Sequence, residues 1–175
     1  MTHGGESRRE FVVRIARAAG VSPVLLGVLA GSGEALPPGE ETDLAILYAA
    51  LALEHHAIAL YDVGLERGLF PAGLRHYAVE FRGDHLGHRD TQVAIAEERG
   101  GRPPEALAGY DLGPLEPGDR FVRQALEIEV AAQRAYTGLI SQIRTRDYML
   151  SAAFILVDEV RHMTVWRRVL GLQIY

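Results

Sequence analysis

Ala52 to Tyr61 reads A-L-E-H-H-A-I-A-L-Y and sets a carboxylate, Glu54, in the middle of an otherwise apolar helical segment. Leu47, Ala50, Leu51, Ile58 and Tyr61 stand three, four or seven positions away and share its helix face. A carboxylate on a core-facing stripe is costly unless it is paired or bound to metal. Glu54 therefore needs partners from elsewhere in the chain.

Working outward, this helix spans about Asp43 to Arg67, with Thr42 or Asp43 as its cap. Residues 31 to 42 precede it as a linker, rich in Gly and Pro (G-S-G-E-A-L-P-P-G-E-E over Gly31 to Glu41). Gly68-Leu69-Phe70-Pro71 is a tight turn into a second helix, from about Ala72 to Arg99, stopped by Gly100-Gly101. Residues 100 to 119 carry prolines 103, 104, 114 and 117 and form a long extended connection. A third helix spans about Arg120 to Arg144, and after a short turn a fourth spans about Tyr148 to Leu170. Residues 171 to 175 are left as a tail, and no stretch alternates like a strand hairpin.

Connection lengths set the topology. Short turns make the first and second helices antiparallel, and likewise the third and fourth. A helix of about 26 residues is ~39 Å long, whereas twenty extended residues reach up to ~66 Å. The long connection can thus cross the whole bundle and leave the second and third helices parallel. The fold class is all-α, and residues 43 to 170 form a four-helix bundle with one long crossover.

The totals limit the chemistry. The chain has 175 residues, 48% of them hydrophobic, which suits one domain with a proper core. Its net charge of −5 argues against a nucleic-acid partner. There is no cysteine, so thiolate metal sites, iron–sulfur clusters and thiol nucleophiles are excluded. Any metal must be held by His, Asp and Glu.

Each of the other helices offers such ligands. The second carries His85 and His88, three apart on one face, beside Phe81 and Gln92. The third carries Glu129 on the stripe of Val122, Ala125, Ala132 and Tyr136, while Glu127 falls off it. The fourth carries Glu159 and His162 in a Glu-x-x-His spacing. All six residues, Glu54 included, lie about 9 to 16 residues into their helices, so they meet at one level of the bundle. Carboxylate and imidazole together suit iron, manganese or zinc. Tyr61 and Tyr136 on the inner faces are core residues or hydrogen-bond partners near a metal. Asp84 lies ~100° around the helix from His85 and either hydrogen-bonds to the site or faces solvent. His55 and His56 read as a pair on the solvent side or just behind the ligands, His76 as surface, and Trp166 as core or interface.

These residues resemble the pattern of the ferritin-like di-iron carboxylate superfamily, especially its exported bacterial ferritin-like domain group. That pattern is a Glu, then Glu-x-x-His, then a Glu, then Glu-x-x-His on four successive helices. Glu54, His88, Glu129, Glu159 and His162 take matching positions, and the match covers roughly residues 43 to 170. His85 stands where the family has a metal-bridging Glu. Three carboxylates facing two divalent ions then leave an excess of one positive charge before any hydroxide or oxide bridge. The resemblance implies a dinuclear iron centre, with manganese, a mixed pair or a single ion as alternatives. It also implies dioxygen or peroxide as reactant in oxidase, peroxidase or ferroxidase-type chemistry, and a homodimer or a place in a larger assembly. The opposing expectation is a structural or interaction subunit whose buried charges pair among themselves, with Arg134 and Arg161 as the nearest cations but on other faces.

At the amino terminus, Ser7-Arg8-Arg9-Glu10-Phe11-Val12 resembles a twin-arginine export signal. The apolar run Ala18 to Gly31 follows, about half the ~20 residues of a membrane span, with Val28-Leu29-Ala30 as a small-residue cleavage site. Residues 1 to 30 are thus a signal or anchor, with residues 8 to 31 able to meet a membrane. The expected location is the periplasm or the outer face of the cytoplasmic membrane. If residues 1 to 30 are instead a short basic amphipathic helix, the location is cytoplasmic.

Overall fold

The computed structural model describes residues 40–174. The arginine pair, the cleavage site, the membrane-facing segment 8–31 and most of the expected linker lie outside the described residues.

Among the described residues four α-helices account for nearly all regular structure: α1 (Glu40–Glu66), α2 (Arg75–Glu98), α3 (Asp119–Ile140) and α4 (Arg146–Val169). No strand occurs among the described residues. The bundle is the all-α arrangement expected, with α1 against α2 and α3, and α4 against α3 and α2. Pairings fix the directions. Gln92 meets Tyr136 and His85 meets Glu129, so α2 and α3 run parallel. Tyr61 meets Glu129 and Tyr136 meets Glu54, so α1 and α3 run antiparallel.

Helix ends depart from the expectation in four places. α1 starts at Glu40, so the end of the expected linker is already helical. Asp43 does not cap α1. Its carboxylate accepts the backbone N–H groups of Arg144 (3.0 Å) and Thr145 (2.7 Å) and so caps the start of α4 from a distant helix. Before α2, residues Ala72–Leu74 form a 3-10 turn, and the α-helix begins only at Arg75. α3 stops at Ile140 rather than Arg144, although Ile143 still packs into the core.

α1 is the central helix. It is long and apolar enough to cross a membrane by composition, but 67% of that window is buried in the bundle. Gly64 lets the rings of Phe70 and Phe121 close over it, and a Cβ there would collide with both. The hydrophobic core comes in two clusters. One gathers Tyr61, Phe70, Phe81, Phe121 and Trp166, and the other Ile46, Leu47, Tyr136, Leu139 and Tyr148. Between them lies a layer of buried polar residues.

Candidate metal centre

That layer contains all six residues singled out in the sequence. Glu54, His85, Glu129, Glu159 and His162 are 0–1% exposed and His88 is 7% exposed. Helical spacing explains the selection: His85 and His88 lie one turn apart on α2, and Glu159 and His162 one turn apart on α4. α1 and α3 each add a single carboxylate.

The donors form two overlapping groups. Glu54, His85, His88 and Glu159 each place one ligand atom within 4.8 Å of the others, and so do His85, Glu129, Glu159 and His162. In the first, His85 Nδ1 lies 2.8 Å from Glu54 Oε2 and 3.6 Å from Glu159 Oε1. His88 Nδ1 is 3.5 Å and 3.3 Å from the same two oxygens. In the second, Glu129 Oε2 is 3.5 Å from His85 Nε2 and 3.2 Å from His162 Nδ1. Bonds of about 2.1 Å at tetrahedral angles put neighbouring donors roughly 3.4 Å apart, which the spacings of 3.2–3.6 Å match, whereas His85 and Glu54 at 2.8 Å are directly hydrogen-bonded.

Among the described residues seven buried side-chain polar atoms have no hydrogen-bond partner; Gln92 Oε1, Gln124 Oε1 and Tyr148 OH are scattered, and the other four are His85 Nε2, His88 Nδ1 and both carboxylate oxygens of Glu159. Buried polar atoms are rarely left so, because each costs the full desolvation of the group. Those last four all belong to the donor groups. The residues present therefore fit a metal.

Electrostatics give the same picture. Burial opposes ionisation of Glu54, but hydrogen bonds and charge from His85 and His88 outweigh it and hold its pKa down to about 2. Burial likewise opposes Glu129, yet the charges of His85 and His162 keep it well below the usual range. For Glu159 burial wins against the pull of His85 and His88, and its pKa rises to about 7. Burial disfavours charge on His88, but the carboxylates of Glu159 and Glu54, 3.3 and 3.5 Å from its Nδ1, lift it to about 10. His85 and His162 are also raised against burial, mainly by the charges of Glu159 and Glu129 for the first and of Glu129 for the second. Without a cation, protons on the imidazoles balance the carboxylates.

Surrounding residues hold this set in place. Tyr61 donates to Glu129 and accepts from Trp166 Nε1 at 2.8 Å. Tyr136 donates to Glu54 at 2.5 Å and accepts from Gln92 at 2.5 Å. Burial, then the neighbouring carboxylates, push both tyrosines well above their ordinary pKa, so they stay donors. On the α2–α4 side, Asp84 Oδ2 sits 3.0 Å from His162 Nε2, and Asp158 Oδ2 3.4 Å from His88 Nε2. Arg161 joins the two aspartates, with 2.5 Å to Asp84 and 3.5 Å to Asp158, and also bonds Glu80. It works at the rim of the site rather than inside it.

Asp84 thus takes the hydrogen-bonding alternative and not the solvent-facing one. Asp158 was missed by sequence reasoning, although it flanks Glu159 as Asp84 flanks His85. His55 and His56 stand apart from the donors. His55 meets Pro104 O at 3.3 Å and His56 stacks on Tyr110, so both face the crossover. His76 is exposed and Trp166 is buried core.

A family profile described as a ferritin-like domain matches residues 42–172. A crystal structure of a conserved hypothetical protein, rv2844, from Mycobacterium tuberculosis is similar to this chain, with a TM-score of 0.70 and 27% identity. The likeness covers 75% of this chain and 98% of that one. No curated protein matches the chain.

Proposed function

Because the chain belongs to the ferritin-like domain family, we propose that its bundle core houses a redox metal centre. The centre is dinuclear iron, with manganese as the alternative, and it acts on dioxygen or peroxide as an oxidase, peroxidase or ferroxidase-type site. The observation that carries this reading is the convergence of four unpartnered buried donor atoms between two hydrophobic clusters.

Once bound, the metal would supply electron transfer to the oxidant. The chain's own part is binding, orientation and proton control. Glu54, His88, Glu129, Glu159, His162 and His85 would hold it. Tyr61 and Tyr136 keep a proton on their hydroxyls and fix one oxygen each of Glu129 and Glu54. Asp84 and Asp158 fix the outer nitrogens of His162 and His88, as partners of metal-binding histidines do. Small oxidants would enter between α2 and α4, where the His88 side chain is 9% exposed beside the more open Asp158.

We extend the proposal to export by the twin-arginine segment and to pairing of two copies. The apolar stripe of Leu150, Phe154 and Val157 on α4, with Phe154 72% exposed, supports the second. Elemental analysis of protein matured in its own host tests the centre, and oxygen- or peroxide-dependent absorbance changes test the reactivity. Protein that carries stoichiometric metal yet shows no spectral response to either oxidant would contradict the redox role.

A further inference from the structure

His85 departs from the family pattern, and its ring stands between the two donor groups. Nδ1 faces Glu54 Oε2 at 2.8 Å and Glu159 Oε1 at 3.6 Å. Nε2 faces Glu129 Oε2 at 3.5 Å and has no hydrogen-bond partner. The rings of His88 and His162 flank it at 5.8 Å and 5.3 Å, one serving each group. Among the described residues only Glu159 joins His85 in both groups.

Resting on the proposed metal centre, we infer that His85 replaces the missing bridging carboxylate with a bridging imidazolate, giving one ring nitrogen to each of two ions. Binding through both nitrogens strips the ring of every N–H proton it carries, each passing to solvent, and leaves it with one negative charge. The charge count then closes. Glu54, Glu129 and Glu159 contribute three negative charges and the His85 ring a fourth, against four positive charges on two divalent ions. A neutral ring would leave one positive charge over among the six ligands, to be met by a hydroxide bridge or by the Asp84 and Asp158 carboxylates at the rim.

The bridge fixes a distance. Metal–nitrogen bonds of about 2.1 Å on opposite nitrogens of one ring hold the ions roughly 6 Å apart. Carboxylate- or oxygen-bridged pairs sit about 3.5–4 Å apart. Glu159, with both oxygens unpartnered, is placed to serve either ion.

The test uses the full chain, stripped of metal and reloaded with Mn(II). Bound metal is counted by mass spectrometry and located by anomalous diffraction. Two ions roughly 6 Å apart, one against each nitrogen of His85, would establish the bridge. Two ions within about 4 Å of each other, or a single ion, would overturn it and leave the metal centre standing. No bound ion from Mn(II) or from Fe(II) would overturn both. The variant His85→Glu supplies the second arm: it is expected to keep two ions but bring them to about 3.5–4 Å. An unchanged separation in that variant would also overturn the bridge.

Discussion

Arg161→Met separates metal-site organisation from fold stability. Arg161 contacts Glu80, Asp84 and Asp158 at 2.5, 2.5 and 3.5 Å, and its guanidinium lies 5.6 Å from the Phe81 ring. Asp84 and Asp158 in turn hold His162 and His88. Methionine keeps much of the apolar stem but removes the only cation joining the two aspartates among the described contacts. Loss of a partner that bonds a ligand directly typically costs 10–100-fold in metal affinity, and Arg161 acts one contact further out, so the lower end, about 10-fold or about 1.4 kcal/mol, is the ceiling here. The Arg161 side chain is 42% exposed, so its ion pairs are solvent-screened and add about 1 kcal/mol or less to stability. Mn(II) titration of the metal-free variant should therefore show affinity reduced by up to about 10-fold. Urea unfolding of the same sample should stay within about 1 kcal/mol of the parent. Unchanged affinity would refute the positioning role. A stability loss as large as the affinity loss would reduce Arg161 to a structural residue.

Three further outcomes are expected. Gly64→Ala removes a helix-interior glycine, ordinarily a gain of about 1 kcal/mol, but forces Phe70 and Phe121 apart. Net destabilisation of about 1–3 kcal/mol by urea unfolding is expected, and a stabilised variant would contradict the packing described. Asp43→Ala strands the N–H groups of Arg144 and Thr145 and should cost about 1–3 kcal/mol. Burial opposes the Asp43 charge, but the bonds from Thr145 and Arg144 outweigh it and lower its pKa from 3.8. Its contribution is therefore full above 3.8 and lost as pH falls through the lower folded value, so parent and variant should converge in acid and diverge at neutral pH. Finally, metal must displace protons from His88, whose pKa is raised to about 10. Metal affinity should rise with pH across the neutral range, and a flat calorimetric profile would count against His88 as a ligand. At a free metal concentration of ~100 times Kd, loading should stabilise the fold by about 2.7 kcal/mol, which a chelator would remove.

The six buried polar residues were legible because helical periodicity and linker length are local signals. Mid-helix depth on four antiparallel or parallel rods brings them to one level, and Glu54 and Glu129 show it best. The rim was less legible. The ~100° rule that left Asp84 with two readings also hid Asp158, since both reach sideways between α2 and α4 rather than inward. Asp43 looked like a local cap because a cap 102 positions away leaves no mark in local sequence. The end of α3 was misread for a related reason. Ile143 continues the apolar period past Ile140 and remains buried after the helix has stopped. His56 gave no sign of its partner, Tyr110, because extended crossovers carry no period to read.

The most direct test of the metal centre is the element and number of ions per chain in protein matured in its own host. Two ions of iron or manganese per chain are expected, lost when Glu159→Ala removes the carboxylate shared by both donor groups. Metal-free protein whose thermal stability is unaltered by added Fe(II) or Mn(II) would contradict it, and would leave the buried layer as an ion network that binds nothing.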